Sequence, residues 1–258
     1  VRYVDKLSIP EIDKIIEEAE SSIAKKYNVK SLRDVIAKIG FSNAVNELEE
    51  EAFRIYRDYE KKAVEEYFGS RGFLGKPLTF ELISEIIDDS IIISIANARR
   101  SRAGRTVERI LIEALKALEV PCEEATIEYQ GYKPDIVVPS NKAFGSKEKP
   151  NIDKVFVLAV KRTLRERWSE DIRVFNFPNS AFVFIKPDPD FTPQKAIEMA
   201  LGGMKRVYVP DSLYSMYEKE LDNIMKQYNV VFKPLSQLPE DLCNFLKRVG
   251  IRTLFTFL

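Results

Sequence analysis

Asp135 follows Pro134 at the head of a short β-branched run, PDIVV, and Lys161 directly follows a second such run, KVFVLAV. If the two runs are neighbouring strands, a carboxylate and an ammonium meet at one sheet edge. The carboxylate suits a hard cation such as Mg²⁺, and the lysine suits the orientation of a hydroxide-forming water against a phosphodiester. Either residue alone equally suits a solvated strand terminus. Glu108 adds a second carboxylate. It precedes Leu111, Ile112 and Leu115 at helical spacing and so shares their inward face. An acid on an apolar stripe needs a partner: a metal, Lys161, or Arg105 one turn earlier.

Two arginine clusters supply local positive charge. Arg99, Arg100, Arg102, Arg105 and Arg109 surround one glycine-containing break, and Arg162, Arg165, Arg167 and Arg173 follow Lys161. The planar guanidinium fork binds a phosphate, or guanine O6 and N7, through two parallel hydrogen bonds. Glu166 lies between Arg165 and Arg167. Beside DNA a carboxylate needs a donor, and cytosine N4 is one. The competing reading of this stretch is a mixed-charge amphipathic helix.

The elements that must carry these residues divide the chain in two. Up to about residue 70 the apolar spacing is helical, first from Ile12 to Ile23 and then from Ala44 to Phe68, and GSRGFLGKP ends it. A further helical region runs from about Thr79 to Leu118, interrupted near Ser101 to Gly104. After Pro121 the period shortens. ATIEY and PDIVV flank QGYK as a hairpin around Gly131, and a polar loop from Pro139 to Asp153 leads to KVFVLAV. LRERWSEDIRVF reads as a helix, AFVFI as a strand, TPQKAIEMAL as a helix and KRVYVP as a strand. DSLYSMYEKELDNIMKQY then reads as one amphipathic helix. The order helix, three strands, helix, strand implies an α/β core, a mixed sheet flanked by helices, with a helical N-terminal elaboration. The boundaries are 1–75 for the elaboration, 79–210 for the core and 211–258 for a C-terminal part, all within a single domain.

Composition narrows the chemistry. The chain of 258 residues is 45% hydrophobic, which is ample for a packed core, and its 40 Lys and Arg balance 40 Asp and Glu. A polyanion must therefore be met by a local basic patch. There is no histidine, which excludes serine–histidine and cysteine–histidine nucleophile pairs and histidine-ligated zinc within this chain. Cys122 and Cys243 are too few for a four-cysteine zinc site and suit a reducing compartment. Without an apolar span or a signal-like N-terminus, a cytoplasmic prokaryotic location is expected. The Glu, Lys and Arg enrichment points to a thermophilic source.

RRSRAGRTVE, YKPDIVV and AVKRTLRERW, in this order and at this spacing, resemble type II restriction endonucleases of the PD-(D/E)xK superfamily, in the SsoII, PspGI and EcoRII catalytic-domain branch. The motif-bearing stretch is about Arg99 to Val174. The resemblance implies a restriction-endonuclease-like fold and a Mg²⁺-dependent homodimer on double-stranded DNA, each subunit cutting one strand of a short palindrome with outer CC and GG. Asp135 then matches the metal-binding Asp, Lys161 the catalytic Lys and Glu108 the helix glutamate. Where the superfamily has an acid two positions before the lysine, this chain has Ala159. The branch moves that acid to the helix after the lysine, where the matching position falls near Val174. Glu170, one α-helical turn earlier, is the expected substitute and metal ligand, ahead of Asp171.

The expected activity is Mg²⁺-dependent cleavage at CC(N)GG with A or T in the centre. Arg165 and Arg167 would read guanine, Glu166 cytosine, and Arg99, Arg100 and Arg102 would contact DNA. The central pair lies on the dimer twofold, so its bases are candidates for flipping, with Phe68, Phe73 or Arg100 as stacking platforms. Core packing is the competing role for both phenylalanines. Two further readings remain open: a junction resolvase or repair nuclease on the same fold, and a DNA-binding protein without catalysis, suggested by Ala159.

Overall fold

The structure is a computed structural model that describes residues 9–77, 79–80, 82–84, 105–146, 148–163 and 168–251, the side chains of 168–170 excepted. Three helices open the chain: α1 (Ile12–Lys26), α2 (Leu32–Ile39) and α3 (Phe41–Ser70). Their boundaries follow local chemistry. Ser31 and Asp34 form a reciprocal capping box at the start of α2. Gly40, at φ 83°, makes the sharp turn between α2 and α3. Ile15, Ile16, Ala19 and Ile23 of α1 pack against Ala44, Val45, Leu48 and Ala52 of α3 in one core.

Residues 105–117 form α4, whose Val107, Ile110, Leu111, Ala114 and Leu115 are buried. The sheet follows: β1 (Glu123–Glu124), β2 (Ile136–Val138), β3 (Phe156–Lys161), β4 (Ser180–Phe184), β5 (Arg206–Val209) and β6 (Val231–Pro234). Strand order in space equals order in sequence. β1, β2 and β3 pair antiparallel, and β3 to β6 pair parallel, so β3 is where the sheet changes direction. Its burial on both faces explains the continuous apolar run FVLAV.

Alternation along the strands separates two cores. Ile136, Leu158, Val160 and Val183 face α1 to α4 and α9 (Leu238–Arg248). Val137, Val157, Ala159, Phe182 and Phe232 face the opposite core, with α6 (Pro193–Leu201) and α8 (Glu218–Gln227). Between them in the chain lie the short helices α5 (Asn141–Phe144) and α7 (Asp211–Met216). The N-terminal helices thus bury their apolar faces in the same core as one face of the sheet. The result is a mixed α/β fold with helices on both sides of a six-stranded mixed sheet, as the residue pattern implied.

Three local expectations differ. ATIEY is not a strand: the pairing partner of β2 is Glu123–Glu124, and only the bridge between Tyr129 and Tyr132 closes the hairpin. The described part of LRERWSEDIRVF lies in a 3₁₀ helix, Trp168–Asn176, in place of the expected α-helix. The long amphipathic stretch after β5 breaks at Tyr217 into α7 and α8, where the backbone sits at φ −120° and ψ 20°. Among the described residues no helix is long and apolar enough to cross a membrane.

Candidate active site

Asp135 and Lys161 meet at the C-terminal end of β3. Asp135 immediately precedes β2, which pairs Ile136 with Leu158, so the aspartate lies level with Ala159. Its backbone N–H donates to the Leu158 carbonyl at 3.0 Å and its own carbonyl accepts from Ala125 N–H at 3.0 Å. Its Oδ2 accepts from Val160 N–H at 2.7 Å. The carboxylate is therefore fixed by backbone that belongs to the sheet. Lys161 is the last residue of β3 and alternates onto the face of Val157 and Ala159.

Lys161 Nζ forms an ion pair with Asp171 Oδ2 at 2.8 Å, and both side chains are mostly buried. Asp171 Oδ1 accepts a hydrogen bond from the Tyr132 hydroxyl at 3.2 Å. Glu108 enters from α4. Among the described residues it has no hydrogen bond or ion pair, yet burial pushes its carboxyl up to about 7. The neighbouring Asp135 and Glu124 carboxylates add to the rise, against Lys161 and Arg105. The pocket thus gathers carboxylates faster than it neutralises them. Among the described residues, no three acid or thiol side chains form a metal cage on their own.

Glu170 was expected from α-helical spacing, four residues before Val174. In a 3₁₀ helix residues three apart eclipse, so Asp171 shares the face of buried Val174. The side chain of Glu170 lies outside the described residues. So do Arg99, Arg100, Arg102, Arg165, Glu166 and Arg167. Phe68 and Phe73 pack on each other with ring centroids 5.8 Å apart, and Phe73 is buried.

Two members of the arginine clusters pair with acids of the chain itself. Arg109 pairs with Asp13 at 2.9 Å and Glu113 at 3.2 Å. Arg162 Nε meets Glu49 Oε1 of α3 at 2.6 Å, and Lys186, just beyond β4, reaches the other oxygen of Glu49 at 3.4 Å. Glu49 is buried, and its pairing ties α3 to the residue next to Lys161. Sequence reasoning missed Glu49 and Tyr132. Glu49 carried a signal, an acid on the helical stripe of Val45, Leu48 and Ala52. Tyr132 carried one too, standing three residues before Asp135 in the hairpin turn.

The arrangement can hold a divalent cation between hard oxygen donors, place an ammonium beside it, and act on a phosphodiester at the C-terminal end of β3. The family model described as EcoRII C terminal matches residues 56–230. Among solved structures, the chain is similar to one titled restriction endonuclease PspGI–substrate DNA complex. That match has 28% identity and a TM-score of 0.69, and covers 93% of this chain and 94% of that one. It is also similar in fold to metal-depleted Ecl18kI in complex with uncleaved, modified DNA, at 13% identity and a TM-score of 0.57, covering 94% of this chain and 87% of that one. No curated protein sequence matches it. With a family model spanning more than half of its length and a fold of the same kind, this chain belongs to the EcoRII C-terminal family of restriction endonucleases.

Proposed function

We propose that the protein is a type II restriction endonuclease that binds double-stranded DNA as a homodimer and cuts both strands at a CC(N)GG site with A or T in the centre. The observation that carries the reading is the convergence of Asp135, Lys161, Glu108 and Asp171 at one end of β3, in a chain of this family.

Mg²⁺ is the cofactor this reading implies, and the residues present fit it. Mg²⁺ is usually held through one or two carboxylates, with water and substrate phosphate completing the shell. Asp135 is preset by the sheet, and Glu108 is a half-buried carboxylate with no hydrogen bond or ion pair among the described residues, its pKa raised by burial first and by the neighbouring Asp135 and Glu124 carboxylates second. These two would hold the ion, while Asp171, in place of Glu170, is the acid that pairs with Lys161. When bound, the ion supplies Lewis-acid polarisation of the scissile phosphate and acidifies a water.

The chain's own residues do the rest. Lys161 directs its ammonium at the attacking water and offsets charge at the phosphate. Asp171 holds that ammonium in place before substrate arrives. The buried floor of Ala159 and Val157 limits water on the side away from DNA. Arg165 and Arg167 read guanine and Glu166 cytosine, and Arg99, Arg100 and Arg102 grip the duplex. A central base pair on the dimer twofold cannot present identical edges to two symmetric subunits. Flipping of the central bases onto Phe68, Phe73 or Arg100 resolves that conflict.

Digestion of a sequenced plasmid with Mg²⁺, and with EDTA as control, tests the reading. Discrete fragments ending at CCWGG sites, lost in EDTA and in Lys161→Ala, are expected. Cleavage only at branched or bulged substrates would replace it with a structure-specific nuclease, and specific binding with no cleavage would replace it with a DNA-binding protein.

A further inference from the structure

Tyr132 is the side chain at this site to which nothing above gives a role. It sits on a two-residue turn whose backbone is closed in both directions: Tyr129 N–H donates to the Tyr132 carbonyl and Tyr132 N–H to the Tyr129 carbonyl, each at 3.0 Å. The residues between them, Gln130 at φ 49° and Gly131 at φ 73°, both occupy the left-handed region, as a tight hairpin turn requires. The turn is docked as well as closed. The Tyr129 ring packs on Phe177 at 5.4 Å, and Phe177 N–H donates to Val174 in the 3₁₀ helix that carries Asp171.

The hairpin and the 3₁₀ helix are therefore fastened together twice, once by rings and once by the Tyr132–Asp171 hydrogen bond. Only the second touches the reacting machinery. Asp171 has two oxygens and both are used: Oδ1 by the Tyr132 hydroxyl at 3.2 Å and Oδ2 by Lys161 at 2.8 Å. With one oxygen pinned, the carboxylate plane cannot rotate, and the other oxygen stays facing the ammonium. Burial and the carboxylates of Asp171, Asp135 and Glu108 push the phenol well above its ordinary pKa, so it remains a donor throughout the working range.

We propose that Tyr132 is a positioning residue of the active site, fixing Asp171 so that Lys161 is held at the end of β3. The catalytic meaning of this placement rests on the nuclease reading above. The placement itself does not.

The test uses the full-length protein and Tyr132→Phe, which keeps the buried ring and removes only the hydroxyl. In the metal-free protein, ¹H–¹⁵N NMR of lysine ammonium groups reads the pair directly. Lys161, assigned through Lys161→Arg, is expected to give a slowly exchanging signal in the wild type that is lost in Asp171→Asn and in Tyr132→Phe. In cleavage assays with Mg²⁺, kcat of Tyr132→Phe should fall ~10-fold or more, the size of one hydrogen bond to a charged group, with KM unchanged. A second measurement does not depend on the folding of Tyr132→Phe: the Tyr132 hydroxyl proton of the wild type should be protected from exchange and lose that protection in Asp171→Ala, which leaves no side-chain acceptor. A Tyr132→Phe protein that keeps the Lys161 signal and wild-type kcat overturns the proposal. So does one that loses stability and activity together while keeping the signal, because that is a merely structural role. If the wild type does not cut DNA, the nuclease reading fails, and the two NMR measurements still decide whether Tyr132 positions Asp171.

Discussion

Asp171 meets Lys161, at 2.8 Å, from a 3₁₀ helix over Trp168–Asn176 that winds with three residues per turn. An α-helix over the same residues would turn a different acid inward. The observed pair with Lys161 makes Asp171 the acid we propose to act on the lysine, in place of Glu170. Asp171→Asn should reduce nicking of supercoiled plasmid by about 100-fold, as expected for loss of a group acting on the catalytic lysine, and Glu170→Ala should stay within a few-fold of wild type. The opposite order would return the role to Glu170.

Lys161→Ala separates binding from chemistry. Cleavage should drop by roughly 10²-fold or more. Affinity for a CCWGG duplex, followed by fluorescence anisotropy with Ca²⁺ in place of Mg²⁺, should be nearly unchanged, because the ammonium faces Asp171 and, in the proposed reading, acts on water and not on the bases. A parallel loss of affinity would make Lys161 a backbone contact.

Glu108 links the site to pH. Its folded pKa of about 7 lies above the ordinary 4.5, so the protonated acid favours the fold. That stability is fully present below the ordinary value and is lost as pH rises through about 7. Glu108→Gln imitates the protonated form at every pH. In metal-free buffer its melting temperature should pull ahead of wild type between those two values, and a divalent cation should narrow the gap. A difference independent of pH would show that Glu108 ionises as freely in the folded chain as in the unfolded one.

Glu49 is a test of how α3 supports the site. Its carboxylate is buried, whereas Arg162 and Lys186 keep 25% and 29% of their side chains exposed. Glu49→Leu should cost roughly 2 kcal/mol, below the range for a fully buried pair because water still reaches both cations. For a chain of this length that is about 4–8 °C in Tm. Adding Arg162→Met should restore much of the loss, since the stranded charge is then gone. If the double variant is no more stable than the single, Arg162 is not the charge that Glu49 satisfies.

At the other end of the energy scale, Ser31→Ala removes a capping box at the start of α2 and should lower stability by about 1 kcal/mol, read by urea denaturation, with no change in cleavage. An effect on cleavage would mean that the N-terminal helices move with the site.

What was legible in the sequence was whatever depends on neighbours along the chain. The apolar periods placed α1, α3 and β3. The β-branched runs around Asp135 and before Lys161 put the two residues on strand ends, and the spacing of Glu108 from Leu111 and Leu115 set its inward face. Ala159 announced that the second acid had to come from elsewhere. Two expectations failed for one reason, that propensity does not choose between close variants of local geometry. The WSEDIRVF stretch suits an α-helix as well as a 3₁₀ helix, and docking of Val174 and Phe177 into the core under β3 and β4 selects the tighter winding. The ATIEY run suits a strand, yet β2 pairs with Glu123–Glu124, and the freed residues form the hairpin that aims Tyr132.

Only the tertiary structure could join residues that the chain holds far apart. Glu49 meets Arg162 and Lys186 because α3 lies across the ends of β3 and β4. Glu108 feels Asp135 because α4 shares a core with one face of β2 and β3, and burial there, more than the charges, sets its pKa. The residue types that can do the chemistry are written locally. Their distances, their burial and the pairing of Asp171 with Lys161 follow from long-range packing, which no spacing along a single segment encodes.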